Sequence, residues 1–212
     1  MRKRLRANNF WPVTLREETP QGLVRLRPLV VSDEVAWGDV RRRNHNWLSP
    51  WEASNPGRKA GSPNFRQFIA LLDQQAKEGT SIPWGIEFNG QLVGQITVSS
   101  ITYGSLCSAT IGYWISQSAA GKGIMPTAVA LATDYCFWAR SLHRVEINIR
   151  PDNQRSLRVV EKLGFRDEGV RENYLHINGN WSDHRTFALV VDDVPGGLLT
   201  RWRAIQNNPV AK

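Results

Sequence analysis

The chain has 212 residues, of which 41% are hydrophobic and 22% are charged, so the composition predicts one globular domain and excludes a disordered or fibrous protein. No run approaches the roughly 18 consecutive apolar residues that a membrane span needs. The basic start, residues 1–6, is not followed by the apolar core of a signal peptide. We therefore expect a soluble protein of the cytoplasm.

Basic residues outnumber acidic ones by 27 to 19, which gives a net charge of +8 and a pI near 10.0. Part of this charge is concentrated in residues 1–6 and in the run Arg41–Arg43. Such an excess favours polyanionic partners, namely nucleic acid, ribosomes or a phosphate-bearing cofactor. The simpler interpretation, that the charge only keeps the chain in solution, stays open at this point.

The cysteines and histidines do not form a metal-binding pattern. Cys107 and Cys136 lie 29 positions apart in apolar segments, so we interpret both as small buried hydrophobic residues. The four histidines include neither a His-Glu-x-x-His motif nor a paired set. No metal is expected.

The first third of the chain predicts a strand followed by two helices. Residues 22–30 alternate apolar and basic side chains, as in a half-buried strand. Ser32 or Asp33 is a suitable N-cap for a helix that runs to about Asn46. After a Gly- and Pro-rich loop to Pro63, a second helix is predicted by apolar residues that share one face: Phe65, Phe68, Ile69 and Leu72.

From Thr80 the hydrophobic period changes to two, and Asn89-Gly90 between the runs 82–88 and 92–101 predicts a β-hairpin. The remaining predicted elements are a strand at 109–115, a helix at 127–140, a strand at 144–150, a short helix capped by Pro151-Asp-Asn153, strand segments at 165–169 and 174–177, a strand at 187–191 and a short helix at 198–205. This order predicts an α+β fold around one mixed sheet and is inconsistent with a doubly wound one.

The segment Ile111–Thr127 carries the strongest chemical signal, since a strand leads into a Gly-rich turn and a helix begins at once. Such a turn leaves backbone N–H groups free at the positive end of the helix dipole. Gly121 and Gly123 remove side chains that would obstruct a phosphate, and Lys122 adds positive charge. The pattern suits a pyrophosphate, although it fits neither the P-loop nor the Gly-x-Gly-x-x-Gly motif.

Four motifs, in this order and spacing, resemble the GNAT acyl-CoA N-acyltransferases: Gly112-Tyr-Trp-Ile115, Gly121-Lys-Gly123, Asn153-x-x-Ser156 and Lys162-Leu-Gly-Phe165. The resemblance implies a single GNAT domain over residues 22–192, with about seven strands and helices on both faces of the sheet. It leaves a basic arm at 1–21 and a tail at 193–212. One position departs from the family, which usually has Gln or Arg where Ser118 stands.

Two further segments, Leu48-Ser-Pro-Trp-Glu52 and Tyr174-Leu-His-Ile-Asn-Gly-Asn-Trp-Ser-Asp-His184, are similar to the RimJ/RimL branch of that family. Members of this branch acetylate the N-terminal α-amine of ribosomal proteins, and the RimJ type acts on an N-terminal alanine. The resemblance thus implies acetyl-CoA as the acetyl donor and a protein N-terminus as the acceptor. The partner would be a ribosomal protein or the ribosome, and the enzyme a monomer or homodimer.

The resemblance also implies where acetyl-CoA binds. The strand ending at Ile115 is expected to separate from its neighbour and to receive the pantetheine arm, with the N–H of Trp114 or Ile115 polarising the thioester carbonyl. Asn153 is expected to reach the pantetheine in addition to capping its helix. The expected cofactor-binding residues are Trp114, Ile115, Ala120, Gly121, Lys122, Gly123, Ile124, Met125, Asn153 and Ser156.

Three residues are candidates for proton transfer. Ser156 occupies the place where many members of the family have an acid for the departing thiolate, often a Tyr. Glu52 and Glu146 are candidate bases, and Glu146 alternates with apolar residues on a strand, where a carboxylate is costly unless it is paired or faces the site. Trp51, Glu52, Tyr103 and Tyr174 are expected to contact the substrate.

Two alternatives remain open from the sequence alone. One is an acetyltransferase for a small amine such as a polyamine, which an acidic substrate entrance would favour. The other is a non-catalytic basic protein that binds ribosomes through the same fold. The intact Gly121 and Gly123 disfavour the second, and the aromatic residues around 47–54 and 174–184 favour a peptide over a polyamine.

Overall fold

The computed structural model describes residues 10–57 and 64–207. It contains the strands β1 (Leu15–Thr19), β2 (Gly22–Arg27), β3 (Ile82–Phe88), β4 (Gln91–Thr102), β5 (Ser108–Ile115), β6 (Arg144–Ile149), β7 (Arg166–Ile177) and β8 (Asn180–Val190). The α-helices are α1 (Glu34–Arg43), α2 (His45–Leu48), α3 (Phe65–Glu78), α4 (Ile124–Asp134), α5 (Gln154–Leu163) and α6 (Leu198–Asn207). None of the helices in these residues is long and apolar enough to cross a membrane.

The strands form one sheet in the order β1-β2-β3-β4-β5-β6-β8-β7. Neighbouring strands are antiparallel except for β5 and β6, which run parallel. The sheet is therefore mixed, and the predicted α+β single domain is confirmed. The prediction of about seven strands is one short, because Leu15–Thr19 pairs with β2. That strand lies within the predicted arm 1–21, whose residues 1–9 fall outside the described part of the chain.

Helices cover both faces of the sheet, and the two faces differ in polarity near its centre. On one face, α4 packs over buried apolar side chains such as Ile96, Val98 and Ile111. On the other face, β4 presents polar side chains and α1 packs against them, with the Trp37 indole N–H donating to the Gln95 amide oxygen (3.4 Å). Strand alternation produces this division, because successive residues of β4 point to opposite faces.

Local sequence signals account well for the turns and helix starts. Asn89 and Gly90 between β3 and β4 both have positive φ (49° and 80°), as a two-residue hairpin turn of this type requires, so the predicted hairpin is confirmed. Helix α3 begins after a reciprocal cap in which Asn64 accepts the Gln67 N–H and the Gln67 side chain accepts the Asn64 N–H.

Several predicted boundaries differ from the structure. The first helix stops at Arg43, because Asn44 leaves the helical conformation. Helix α4 begins at Ile124 instead of residue 127, since Gly123 takes a left-handed conformation (φ 76°) and serves as its N-cap. A π-helical turn, Tyr135–Ala139, completes the predicted span to residue 140. Finally, β8 begins at residue 180, seven residues before the predicted strand at 187.

The two cysteines have different environments. Cys136 is buried in the core as predicted, and burial raises the pKa of its thiol to about 12. Cys107 is only half-buried, and its thiol donates to the carbonyl oxygen of Ser141 (3.3 Å), so the prediction of burial is wrong for this residue. It lies at a turn with φ 45° between β4 and β5, where the chain passes near the surface.

Helix α6 is joined to α4 through a carboxylate cap. Asp134 accepts the N–H groups of Leu198 (2.6 Å) and Leu199 (3.1 Å), which are among the first donors of α6 and have no partner within the helix. Burial raises the pKa of Asp134 above its usual value. Further along α6, the Trp202 indole N–H donates to the Thr127 hydroxyl of α4 (2.9 Å).

We expect Asp134→Ala to lower the free energy of unfolding by about 1–2 kcal/mol, because the substitution removes this cap. Urea unfolding followed by circular dichroism measures the change. Asp39→Ala is the matched control, since within residues 10–57 and 64–207 the Asp39 side chain pairs only with Arg42 at the surface, and should cost less than about 0.5 kcal/mol. Equal losses in both variants would show that the cap does not stabilise the fold.

Candidate active site

A gap opens in the middle of the sheet where the two parallel strands separate. Strands β5 and β6 are paired from Ser108–Arg144 to Thr110–Glu146, and no pairing follows. Beyond this point, residues 111–115 and 147–149 line the opposite walls of a cleft of about 890 Å³. The predicted separation of the strand that ends at Ile115 is therefore confirmed.

The register between β4 and β5 determines which backbone groups face the gap. The N–H of Ser116 donates to the carbonyl of Val93 (2.8 Å). Because hydrogen-bonded pairs alternate along an antiparallel ladder, the pair Gln95–Trp114, two residues away, is hydrogen-bonded as well. The Trp114 N–H is thus directed to β4. The N–H and C=O of Tyr113 and the N–H of Ile115 point into the gap, where no strand pairs with them.

The connection between α1 and α2 holds the rim of the cleft at the end of β5. The Trp47 indole N–H donates to the carbonyl oxygen of Ile115 (3.0 Å), and the Asn44 side-chain oxygen accepts the N–H of Gln117 (2.8 Å). From the opposite wall, the Arg155 guanidinium lies 4.1 Å from the centre of the Trp47 ring. These contacts fix the end of a strand that has lost its neighbour on one side.

The glycine loop before α4 has the conformation that a phosphate cradle needs. Gly121 and Gly123 both have positive φ (79° and 76°), and a Cβ placed on Gly121 would meet no atom within 4 Å. Within the described part of the chain, the N–H groups of residues 121–123 donate no hydrogen bond. They lie beside the first N–H groups of α4, which have no intrahelical partner. The loop therefore offers several free donors at a helix N-terminus, which suits an anion.

The other predicted loop residues have distinct positions. Ala120 and Met125 line the cleft. Lys122 is exposed to solvent and is not a lining residue, so only its charge and backbone are near the phosphate site. Ile124 turns its side chain into the core, with 1% exposure, and contributes its backbone alone.

Helix α5 adds positive charge along the same cleft. Arg155, Arg158 and Lys162 are spaced so that they share one side of the helix, and all three line the cleft. Ser156 lines it as well, and Asn153 caps the helix by accepting the Ser156 N–H (3.2 Å). The capping role predicted for Asn153 is confirmed.

A group of polar side chains, which we term the polar wall, lies on the face of the sheet opposite α4. Pairing places its members on one face, because Ser99 pairs with Thr110, Thr110 with Glu146, and Asn148 with Thr186. The Thr186 hydroxyl donates to the Asn148 side-chain oxygen (2.8 Å). The polar wall consists of Gln95, Thr97, Ser99, Asn148 and His184.

Glu52 and Trp51 lie at the entrance to the cleft, as the sequence predicts for residues that contact substrate. Glu52 forms an ion pair with Arg41 (2.5 Å), and its backbone carbonyl accepts the N–H of Asn178 from the turn between β7 and β8. The Arg150 guanidinium lies 5.3 Å from the centre of the Trp51 ring. The entrance is therefore lined by aromatic and basic groups.

Three residues predicted to take part in proton transfer or substrate contact do not line the cleft: Glu146, Tyr103 and Tyr174. Glu146 is not a lining residue, and its carboxylate accepts hydrogen bonds from Arg144 (2.8 Å) and Arg171 (3.2 Å). This ion pairing explains the charged residue on a central strand and leaves no free carboxylate for a base. Tyr103 lies near the β4–β5 turn, where its hydroxyl accepts from Arg140 (2.8 Å), outside the cleft. The substrate contact predicted for Tyr103 does not fit this position.

One residue of the polar wall, His184, was not among the predicted site residues. It is 3% exposed, its Nδ1 lies 2.9 Å from the carbonyl oxygen of Ser182, and burial lowers the pKa of its ring. The ring of Tyr174 meets it edge-on at 6.0 Å between centroids. Tyr174 is not among the residues that line the cleft, so the substrate contact predicted for it does not fit this position. The sequence did contain one signal for this position. His184 lies two residues before Thr186 on a strand, so the two side chains share one face of the sheet.

The sequence profile of the acetyltransferase (GNAT) domain family matches residues 23–166. These residues contain the parted strands, the glycine loop and α5 in full. The chain belongs to the GNAT acetyltransferase family. It is therefore an acyltransferase, and its acyl donor is acetyl-CoA, which supplies an acetyl thioester. The free donors of the glycine loop, the unpaired edge of β5 and the cations of α5 fit the pyrophosphate and the pantetheine of this donor.

Relatives within the GNAT family align over most of the chain. The [Ribosomal protein uS5]-alanine N-acetyltransferase of Escherichia coli (strain K12) is 30% identical and aligns over 81% of this chain and 91% of its own length. The solved structure of Mycobacterium smegmatis RimJ in complex with CoA-disulfide has a TM-score of 0.86, 36% identity, and coverage of 92% and 95% of the two chains. The ribosomal-protein-S5-alanine acetyltransferase of Vibrio fischeri has a TM-score of 0.73 with 29% identity, covering 84% and 98%.

We expect Gly121→Glu to abolish acetyl-CoA binding in calorimetric titration, because the substitution places a carboxylate and bulk in the phosphate cradle. Gly104→Glu is the matched control, since Gly104 has the same backbone conformation (φ 80°) and the same open surroundings but lies outside the cleft. Binding by both variants with wild-type affinity would remove the loop from the cofactor site.

We expect Trp47→Phe to raise the KM for acetyl-CoA by about fivefold, since it removes one hydrogen bond, worth roughly 1 kcal/mol, from the end of β5. The matched control is Trp138→Phe, because Trp138 is 55% exposed and is not among the cleft residues. Steady-state kinetics at varied acetyl-CoA concentration measure the KM of both variants. An unchanged KM in Trp47→Phe would mean that the strand end is held without this contact.

Proposed function

We propose that this enzyme transfers the acetyl group of acetyl-CoA to the N-terminal α-amine of a protein, as a ribosomal-protein-alanine N-acetyltransferase. The observation that supports this most is the charge of the cleft. Among the described lining residues, Glu52 is the one carboxylate, and it is already paired with Arg41. The relatives named for acetylation of the ribosomal protein uS5 or S5 add independent support.

The same charge pattern disfavours a polyamine acceptor. A polyamine carries several positive charges and requires several carboxylates, whereas this cleft also contains five cations: Arg41, Arg150, Arg155, Arg158 and Lys162. A peptide N-terminus brings a single ammonium group, which one carboxylate can bind. Aromatic and apolar side chains at the entrance, including Trp51, Leu175 and Ile177, suit the side chains of the following residues.

The acceptor's own chemistry also fits. An α-amine has a pKa of about 7.7–8.0, so an appreciable fraction is neutral at pH 7, whereas a Lys amine near 10.4 is almost entirely protonated. Alignment of the amine with the thioester can therefore provide much of the rate. The amine attacks the thioester directly in this proposal, without an acyl-enzyme.

The site residues take the following roles in this proposal. The N–H of Ile115 polarises the thioester carbonyl, and the free N–H groups of residues 121–125 hold the pyrophosphate, next to Ala120, whose own N–H donates to the carbonyl of Ser116. Asn153 contacts the pantetheine while it caps α5, and Ser156 at the same helix start donates a hydrogen bond to the departing sulfur. Glu52 binds the acceptor ammonium, with Trp51 beside it. The protein acceptor is a ribosomal protein, free or on the ribosome.

We expect purified enzyme to release CoA thiol from acetyl-CoA in the presence of a peptide that begins with Ala. Turnover should be at least tenfold lower with the same peptide carrying a blocked N-terminus and one internal Lys, and lower again with spermidine. The product is checked by mass spectrometry for one acetyl group on the first residue.

Each of these three acceptors tests a different acceptor group: the α-amine, the Lys side chain or a polyamine. Faster turnover of spermidine than of the Ala peptide would replace the proposal with a polyamine acetyltransferase. Equal turnover of the blocked peptide would place the acetyl group on Lys. Ribosomal peptides that begin with Ser or Met, compared with Ala at equal concentration, then define the selectivity for the first residue.

A further inference from the structure

His184 lies in the cleft with one ring nitrogen hydrogen-bonded to the backbone and the other without a hydrogen-bond partner among the described residues. Its Nδ1 is 2.9 Å from the carbonyl oxygen of Ser182. A carbonyl oxygen only accepts hydrogen bonds, so Nδ1 carries the hydrogen, and in the neutral ring the lone pair is on Nε2. This tautomer is the one in which Nε2 can accept a proton.

The free nitrogen opens on the cleft. Within residues 10–57 and 64–207, no hydrogen-bond partner of Nε2 is present, and the one fully enclosed polar side-chain atom without a partner is the Thr133 hydroxyl. Although His184 is only 3% exposed, it lines the cleft. The exposed part of the ring is therefore its edge opposite Nδ1, which contains Nε2.

The surroundings keep the ring neutral near pH 7. Burial lowers the pKa of His184, and the Arg150 guanidinium lowers it further, while Asp183 and Asp152 act in the opposite direction. The hydrogen bond to Ser182 also raises it, but burial is the larger effect. Across the strand pair, β7 contributes the edge of the Tyr174 ring, whose hydroxyl accepts from Arg171 (2.9 Å). An unprotonated imidazole is therefore available at physiological pH.

The position of His184 in the sheet places it on the acceptor side of the gap. The β6–β8 pairing ends at Ile149–Arg185, so His184 lies one residue beyond it, where the cleft is open. Its side chain shares a face with Asn148 and Thr186, opposite the face that α4 covers. The phosphate cradle is at the start of α4, so His184 lies on the side of the sheet opposite the helix that binds the phosphates in the proposed complex.

We propose that Nε2 of His184 is the general base that removes the proton from the acceptor ammonium. This inference rests on the proposed function for the identity of the amine. The first proton moves from the ammonium nitrogen to Nε2, and the neutral nitrogen then forms a bond to the thioester carbon. The carbon–sulfur bond breaks with its electron pair on sulfur, while the nitrogen loses its second proton and becomes the amide N–H. That second proton, relayed through Ser156 or water, neutralises the thiolate, and the imidazolium returns the first proton to solvent.

The two carboxylates first considered are less suited to this step. Glu146 is held by Arg144 and Arg171 and does not line the cleft. Glu52 is paired with Arg41 and is partly exposed at the entrance, where it can bind an ammonium. His184 alone among these three combines a free acceptor atom with a place inside the cleft.

The first test does not depend on activity. In protein labelled with ¹⁵N-histidine, the His184 signals should show the tautomer with hydrogen on Nδ1 at pH 7, and a titration midpoint below the ordinary value of about 6.5. His184→Gln identifies the resonance. A hydrogen on Nε2, or a ring protonated at pH 7, would overturn the inference.

The second test compares His184→Gln with His143→Gln, a matched control because His143 is exposed and outside the cleft. We expect His184→Gln to lower kcat with the Ala peptide at pH 7 by about 10²-fold or more, as loss of a general base does. The KM for acetyl-CoA should stay within twofold of wild type. At pH 9 the deficit should shrink, because the α-amine loses its proton without help.

The outcomes separate the two proposals. If wild type acetylates no peptide N-terminus, the proposed function fails, and the tautomer and its titration still decide whether Nε2 is the available base. If wild type acetylates the peptide but His184→Gln retains kcat within threefold at pH 7, the proposed function stands and His184 is not the base. A deficit that is equal at pH 7 and pH 9 would indicate a structural role.

Discussion

The separation of β5 from β6 after Thr110–Glu146 is the constraint on which the rest of the site depends. A continuous ladder would use every N–H and C=O of β5, whereas the gap leaves those of Tyr113 and Ile115 without a strand partner. Unpaired backbone groups are costly when buried, so the gap must be wide enough to admit water or a ligand. Trp47 meets part of this demand by donating to the carbonyl of Ile115.

The gap also joins two chemically different sides of one sheet. The apolar side, under α4 and α5, offers the phosphate cradle and the cations that hold a large anionic donor. The polar wall, with Asn148 and His184 among its members, offers hydrogen-bonding groups to the acceptor amine of the proposed reaction. In the proposed reaction acetyl-CoA and the acceptor occupy opposite sides of the sheet, so neither has to leave before the other binds, which is the geometric requirement for direct transfer without an acyl-enzyme.

The sequence alone predicted those parts of the fold that depend on neighbouring residues. Asn89-Gly90 and the Asn153 cap act over two or three positions, and both are confirmed. Strand β1 was missed because it is polar, and its buried Glu17 is paired with Arg203, 186 residues away. A pairing over that distance leaves no local pattern.

The same limit applies to the chemistry of the site. Gly121 and Gly123 were recognisable because their role is conformational and local. The ion pairs of Glu146 and the free Nε2 of His184 depend on strands brought together by the sheet. Residue type therefore identifies carboxylates as candidate bases, but only the fold shows which of them is already paired with arginine side chains.

Helix α6 reaches back to the start of the phosphate cradle. A Cβ on Gly123 would lie 3.2 Å from the Gln206 amide nitrogen and 3.6 Å from the Trp202 ring, and Trp202 is hydrogen-bonded to Thr127 in the first turn of α4. The last helix in the described chain thus forms a rigid backing for donors that lie far from it in sequence. Helix α6 consequently helps to keep the anion site preorganised. A truncation or disruptive substitution in α6 would therefore weaken cofactor binding before it disturbed the sheet.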